Sequence, residues 1–178
     1  MSPSKHTKLL GETLSYPQYP QSPAQQLNVQ GGEPPLWAPY YGAPLPAAVK
    51  RFFKKYAAFS GRASRSEYWW WTLVSAVIGI VLNIIIGAGT TAPTSAALGA
   101  TPSYGPVAIV GIILGVIWGL ATFVPSLAVS VRRLHDGNFS GWLLLLHLVP
   151  ILGSIAVLVM MILPANPAGQ RFDQPTGH

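Results

Sequence analysis

Three stretches of the chain are rich in apolar residues and free of Lys, Arg, Asp and Glu. They run from Trp69 to Ile86, from Val107 to Val124 and on past Pro125 to Val131, and from Trp142 to Leu163. An α-helix rises 1.5 Å per residue, so a run of ~20 residues crosses a hydrocarbon layer roughly 30 Å thick. The pattern predicts an all-α membrane protein with three transmembrane helices, over about residues 69–87, 107–131 and 142–163. Between the first two, Gly87 to Pro106 is an uncharged loop of Gly, Ala, Thr, Ser and Pro. The connection from Arg132 to Gly141 is short and turn-rich, which makes the second and third segments antiparallel neighbours. Pro150 and Gly153 interrupt the third segment, which either kinks and continues or turns back as a hairpin. Two arms of eight to ten residues would each reach only about halfway across. A turn at mid-depth would also leave backbone polar groups in need of partners. One kinked span is therefore the expectation, with the hairpin as its alternative.

Upstream of these runs the period changes. Val49, Phe52, Phe53, Tyr56 and Phe59 recur at helical spacing, while Lys50, Arg51, Lys54 and Lys55 fall on the opposite side. That predicts an amphipathic interfacial helix over 46–60, lying in the headgroup plane. Ser64 and Glu67 have the spacing of a capping box at the start of the first apolar helix. Trp69, Trp70 and Trp71 then read as an interfacial aromatic belt. Residues 1–45 hold eight of the seventeen prolines, with Gln, Ser and Gly and no surviving periodicity, and are expected to be a disordered cytoplasmic tail. Tyr16, Tyr19, Trp37, Tyr40 and Tyr41 in it are either a docking motif or, the reading preferred, incidental. The division is thus a tail over 1–45, a membrane domain over 46–173 and a short end over 174–178.

Composition sharpens this picture. Half of the residues are hydrophobic and only 9% are charged, against the quarter or so usual for soluble domains. The net charge of +6 would suit nucleic acid, but the basic residues cluster just before the first apolar run. Anionic lipid headgroups are the partner this pattern predicts, not nucleic acid. The absence of cysteine excludes disulfides, thiolate metal sites and thiol nucleophiles. No apolar core lies close to Met1, so the first apolar segment is expected to be retained as an anchor. Six Lys and Arg residues lie from Lys50 to Arg65, none in the first loop, two in the second, and Arg171 follows the third segment. With three spans this bias places the amino terminus in the cytoplasm; the hairpin would bring Arg171 inside as well.

Gly111, Gly115 and Gly119 recur at intervals of four on the second segment, as Ser75, Gly79, Asn83 and Gly87 do on the first. Such faces permit close backbone approach, either between these two helices, with Asn83 donating across, or between copies in a homo-oligomer. Asn83 and His147 are the strongly polar residues inside the spans, at about 21 Å and 8 Å from the inner end of their segments, too far apart to meet readily. The other candidates gather at the cytoplasmic boundary: Arg62, Arg65 and Glu67 before the first span, and Arg132, Arg133, His135 and Asp136 after the second. Together with Lys50, Arg51, Lys54 and Lys55 these are candidates for binding lipid or a partner, with Glu67 expected to pair with an arginine of the second loop. Salt bridges that fix the fold and its topology are the plainer alternative. No phosphate loop, metal-ligand spacing or nucleophile elbow occurs, so no catalytic residue, metal or cofactor is expected.

The segments Phe59-Ser60-Gly61-Arg62-Ala63-Ser64-Arg65-Ser66-Glu67-Tyr68-Trp69-Trp70 and Pro125-Ser126-Leu127-Ala128-Val129-Ser130-Val131-Arg132-Arg133-Leu134-His135-Asp136 carry a resemblance. With Ser140-Gly141-Trp142 and the apolar run ending at Pro164, the chain from about 49 to 173 resembles the bacterial inner-membrane family known as domain of unknown function 805. The resemblance implies a small bacterial inner-membrane protein and implies no activity, cofactor or substrate. The family's closing Gly, Pro, Asn, Arg, aromatic stretch is kept only loosely in Asn166 to Phe172. The leading functional expectation is recruitment of lipid or protein partners at the cytoplasmic face. A subunit of an oligomeric transporter or channel comes second, and a membrane-embedded enzyme third.

Overall fold

A computed structural model of the chain describes residues 32–91 and 101–173. It is mostly helical. Helix α1 spans Leu45–Lys54, α2 Arg65–Ala88, α3 Pro106–Asp136 and α4 Leu152–Ile162, with 3-10 helices at Gly141–Leu148 and Pro167–Phe172. Thr90–Thr91 and Ser103–Tyr104 form a short antiparallel pair that closes the far end of the α2–α3 hairpin. Both α2 and α3 are long and apolar enough to cross a membrane. Their most apolar windows are only 6% and 17% buried, and Ile80, Ile84, Val110, Ile117 and Leu120 point outward. Helices so apolar on their outer faces suit lipid surroundings rather than the core of a water-soluble domain.

Helix α2 begins where the sequence predicts. The Ser64 hydroxyl accepts from the Glu67 amide (3.2 Å), and Glu67 Oε2 accepts from the Ser64 amide (2.9 Å), completing the capping box. Trp71 leaves the expected belt. It is buried, stacked on Phe52 with ring centroids 3.3 Å apart, and its indole donates to Ser126 Oγ (3.2 Å). Inside α3, Pro125 has no N–H to give the carbonyl four residues back. That carbonyl, Ala121 O, instead accepts from the Tyr56 hydroxyl at 2.8 Å, which ties the chain after α1 to the middle of α3.

The two long helices come close together where the end of α2 meets the start of α3. A methyl group at Gly89 would lie 2.1 Å from the Ala108 amide nitrogen, and one at Gly111 would lie 2.8 Å from Ile86. The rest of the expected small-residue contact does not form: Gly79, Gly115 and Gly119 face open space, and Asn83 donates to Gly79 O in its own helix (2.8 Å). A step of four residues turns a helix about 40° beyond a full turn, so Gly119 has rotated about 80° from Gly111 and off the contact.

The third apolar segment corrects the kinked-span expectation. It leaves the Asp136 end of α3 as the Gly141–Leu148 helix, turns at Val149–Ile151 and returns as α4. Arg133, near the end of α3, donates to Met161 O (3.1 Å) and to Leu163 O, and Asn166 N donates to Asp136 O (2.8 Å). Both arms therefore start and end at the same end of α3. Eight residues of 3-10 helix and eleven of α-helix each reach about 16 Å, close to half the hydrocarbon layer. The turn meets the objection about unpaired backbone locally: Leu152 N donates to Pro150 O, Gly153 N to Val149 O and Ile155 N to Ile151 O. Gly153 is required there, because a Cβ would lie 1.7 Å from Leu146 O.

The amino-terminal boundary also moves. Residues 32–45, expected to be disordered, are ordered against the helices, with Pro34, Ala38, Pro39 and Ala43 buried. Residues 1–31 of the expected tail, 92–100 of the loop and 174–178 lie outside the described residues. Helix α1 ends at Lys54, short of the expected 60, and turns Ala48, Arg51, Phe52 and Lys55 inward while Phe53, Tyr56 and Phe59 stay exposed. The expected division of cations from apolar residues is thus rotated, because Arg51 has a buried carboxylate to meet.

Candidate functional site

Where the start of α2 meets the end of α3 the chain gathers an unusual number of buried charges. Glu67, in the first turn of α2, is buried and saturated: Oε1 accepts from Arg51 Nε (2.7 Å), and Oε2 from the Ser64 and Tyr40 amides. Arg51 spends its remaining donors on the carbonyls of Pro34, Pro35 and Ala38, which is why the Pro-rich stretch is ordered. Arginine's fixed fork of five donors suits such a multidentate seat. The expected pairing of Glu67 with an arginine of the second loop is replaced by this one.

A second centre forms around Asp136, which is fully buried. Its Oδ2 accepts from Arg133 (2.6 Å) and its Oδ1 from the Tyr41 hydroxyl (2.6 Å), while Arg62 lies at 3.8 Å. Burial, reinforced by the Asp136 charge, pushes the Tyr41 phenol up, so it remains a donor. Arg62 is held as a fork by Asp173, with Nε to Oδ1 at 3.0 Å and a terminal nitrogen to Oδ2 at 2.7 Å. His135 stacks on Phe172 with centroids 4.0 Å apart, and its Nδ1 lies 3.1 Å from Gly61 O. Gly61 N in turn donates to Phe172 O (2.9 Å). Four separate parts of the chain therefore meet here: the Pro-rich strap, the turn before α2, the end of α3 and the returning carboxy-terminal segment.

Of the eleven candidates read from the sequence, Arg51, Arg62, Glu67, Arg133, His135 and Asp136 join these paired networks. Lys50, Lys54 and Arg65 are exposed, Lys50 beside Glu33 at 3.4 Å. Lys55 and Arg132 are both buried, and neither has a carboxylate within 4.0 Å among the described residues. Burial pulls the Lys55 ammonium down to about 7, against the partial support of Glu67. Sequence reasoning missed Tyr41 and Asp173. Tyr41 stood among the tail aromatics taken as incidental, and Asp173 becomes a partner only once the third segment returns.

A separate crevice of about 520 Å³ opens between α3 and the hairpin, lined by Phe123, Ser126, Ser130, Leu144, His147 and Ser154 among others. His147 is exposed there, with Nδ1 3.1 Å from Leu144 O. Asn83 is not among the residues lining this crevice.

Comparison with known proteins agrees with a membrane setting. The chain is 36% identical over 120 residues to the inner membrane protein YhaI of Escherichia coli strain K12, covering 67% of this chain and 86% of that protein. It is 34% identical over 122 residues to the inner membrane protein YhaH of the same strain, covering 68% and 89%. No solved structure matches it significantly. The family described as protein of unknown function (DUF805) matches residues 56–174, so the strap and α1, which carry Tyr41, Arg51 and Lys55, precede the matched region. That match covers α2, α3, the returning hairpin and Asp173, and the chain belongs to the DUF805 family of proteins of unknown function.

Proposed function

We propose that the chain is a multi-pass bacterial inner-membrane protein that recruits anionic lipid at its charged, cytoplasmic end. Two helices cross the membrane and the third apolar segment re-enters from the same side. One observation carries the reading: five buried cations (Arg51, Lys55, Arg62, Arg132 and Arg133) and exposed Lys50 meet four carboxylates, those of Glu33, Glu67, Asp136 and Asp173, so the end has surplus positive charge beyond its own pairing. Exposed Phe53, Tyr56, Phe59 and Trp69 lie beside it, the residue types that settle at the headgroup level. All lysines and arginines from Lys50 to Arg171 lie at or next to this end, which supports placing it in the cytoplasm. Asn83 donates to its own helix and does not line the crevice that holds His147, which favours recruitment over conduction. The test is to reconstitute the full chain in nanodiscs of mixed phosphatidylethanolamine and phosphatidylglycerol and measure the lipids retained after purification. Phosphatidylglycerol is expected to be enriched over its input fraction, and less so as salt rises. Retention in the input proportions would reject the reading.

A further inference from the structure

We infer that Lys55 and Arg132 form a discrete site for one phosphate-class anion, either the phosphodiester of a bilayer lipid or a soluble phosphate. The inference deepens the recruitment reading and rests on it for the preference for lipid.

The two cations are brought together by the packing beneath them. Lys55 caps α1 three residues after inward-facing Phe52, and Val129 and Arg132 stand three apart on α3. Phe52 and Val129 belong to one buried cluster with Ala63 and Trp71, so Lys55 and Arg132 both flank that cluster, and the Arg132 charge acts on the Lys55 ammonium. Ala63 N donates to Arg132 O at 3.0 Å, fixing the α3 side of the cluster to the turn before α2.

The neighbouring carboxylates are already engaged. Glu67 holds Arg51 and two backbone amides; Asp136 holds Arg133 and Tyr41; Asp173 holds Arg62. Arg132 gives Nε to Ala128 O at 3.2 Å, and its two terminal nitrogens have no hydrogen bond to the protein among the described residues. The Lys55 ammonium has none either, although its residue is 7% exposed and that of Arg132 2%. The side chains are largely buried, but their charged tips are not among the sealed unpaired atoms, so an anion can reach them and supply the partner the protein does not. A planar guanidinium with both terminal nitrogens free, together with a point-charge ammonium, is suited to phosphate oxygens. The exposed rings of Phe53, Tyr56 and Phe59 on the adjoining surface give a lipid the better claim, since acyl chains can cover them.

The test uses the full chain in detergent, followed by native mass spectrometry during titration with phosphatidylglycerol, phosphatidylcholine or inorganic phosphate. The wild type is expected to take up one phosphatidylglycerol in preference to phosphatidylcholine. Lys55→Met and Arg132→Gln should each weaken that adduct about tenfold or more, whereas a Lys50→Gln/Lys54→Gln variant, which removes exposed charge only, should keep it. If Arg132→Gln does not fold, Lys55→Met decides alone, with Lys55→Arg expected to restore binding. Adducts within twofold of wild type in folded Lys55→Met overturn the site, and if phosphatidylglycerol is still preferred the recruitment reading stands without it. Saturable inorganic phosphate that depends on both residues, with no lipid preference, keeps the site and removes the lipid reading. No saturable binding of either probe overturns the site.

Discussion

At the scale of single residues, Pro125 has an effect at a distance. By withholding an amide it leaves Ala121 O free, and Tyr56 from another segment fills it. Tyr56→Phe should therefore cost about 1–2 kcal/mol, since it strands a carbonyl in apolar surroundings. In a Pro125→Ala background the restored amide can serve that carbonyl, so the same Tyr56→Phe change should cost little. A double-mutant cycle on thermal unfolding in detergent measures this, and additive costs would show that the proline and the tyrosine are independent. Lys55 makes a second case. Its folded value of about 7 lies below the model-compound value of 10.5, so between those limits the unfolded chain binds more protons. Stability from this group accordingly rises with pH across that window, and the penalty is complete below pH 7. Lys55→Met should stabilise the protein at pH 6, by roughly 1–3 kcal/mol, with the gain over wild type shrinking toward pH 10. A gain that grows with pH would contradict the sign.

At the scale of elements, some features were legible in the sequence because they are local. The two long helices follow from apolar run length, and the start of α2 from the Ser64–Glu67 box. The hairpin was only half legible. Pro150 and Gly153 mark the break, but whether the chain continues or returns depends on Arg133 capturing the carbonyls of Met161 and Leu163, a long-range contact that no period encodes. The candidate site was legible as a set of charges at one boundary. Its pairing was not, because Arg51 and Tyr41 act through a strap whose composition resembles a tail. The glycines are a quantitative check on this division. Gly111→Leu and Gly153→Ala should each lower the unfolding midpoint markedly, as both positions lack room for added atoms, and Gly153→Ala meets backbone rather than a side chain that can yield. Gly115→Leu and Gly119→Leu should leave the monomer's midpoint nearly unchanged, since both face open space. A loss at Gly115 or Gly119 that depends on protein concentration would instead place those glycines between copies.

At the scale of the whole molecule, the charged end determines which way every part must face. The strap, the start of α2, the end of α3 and the carboxy-terminal segment are joined there by Tyr41–Asp136, Arg51–Glu67, Arg62–Asp173 and the bonds from Arg133 to Met161 O and Leu163 O, so the described ends of the chain lie on one side. The opposite end, where Thr90–Thr91 pairs with Ser103–Tyr104, carries no lysine or arginine among the described residues. On the proposed topology the positive-inside bias puts the charged end, with residues 32 and 173, in the cytoplasm and the Thr90 end outside, whereas a kinked third span would put Arg171 outside. The chain has no cysteine, so single cysteines report position without background. In intact spheroplasts a membrane-impermeant maleimide should label Thr101→Cys, and should label Thr176→Cys only after the membrane is permeabilised. Breaking the Arg62–Asp173 pair with Asp173→Asn should not expose residue 176 to the outside, because Arg133 still holds the end of α4 to α3 through backbone carbonyls. Labelling of Thr176→Cys in intact spheroplasts would restore the third span and require the contacts between Arg133, Met161 and Leu163 to be absent in the membrane.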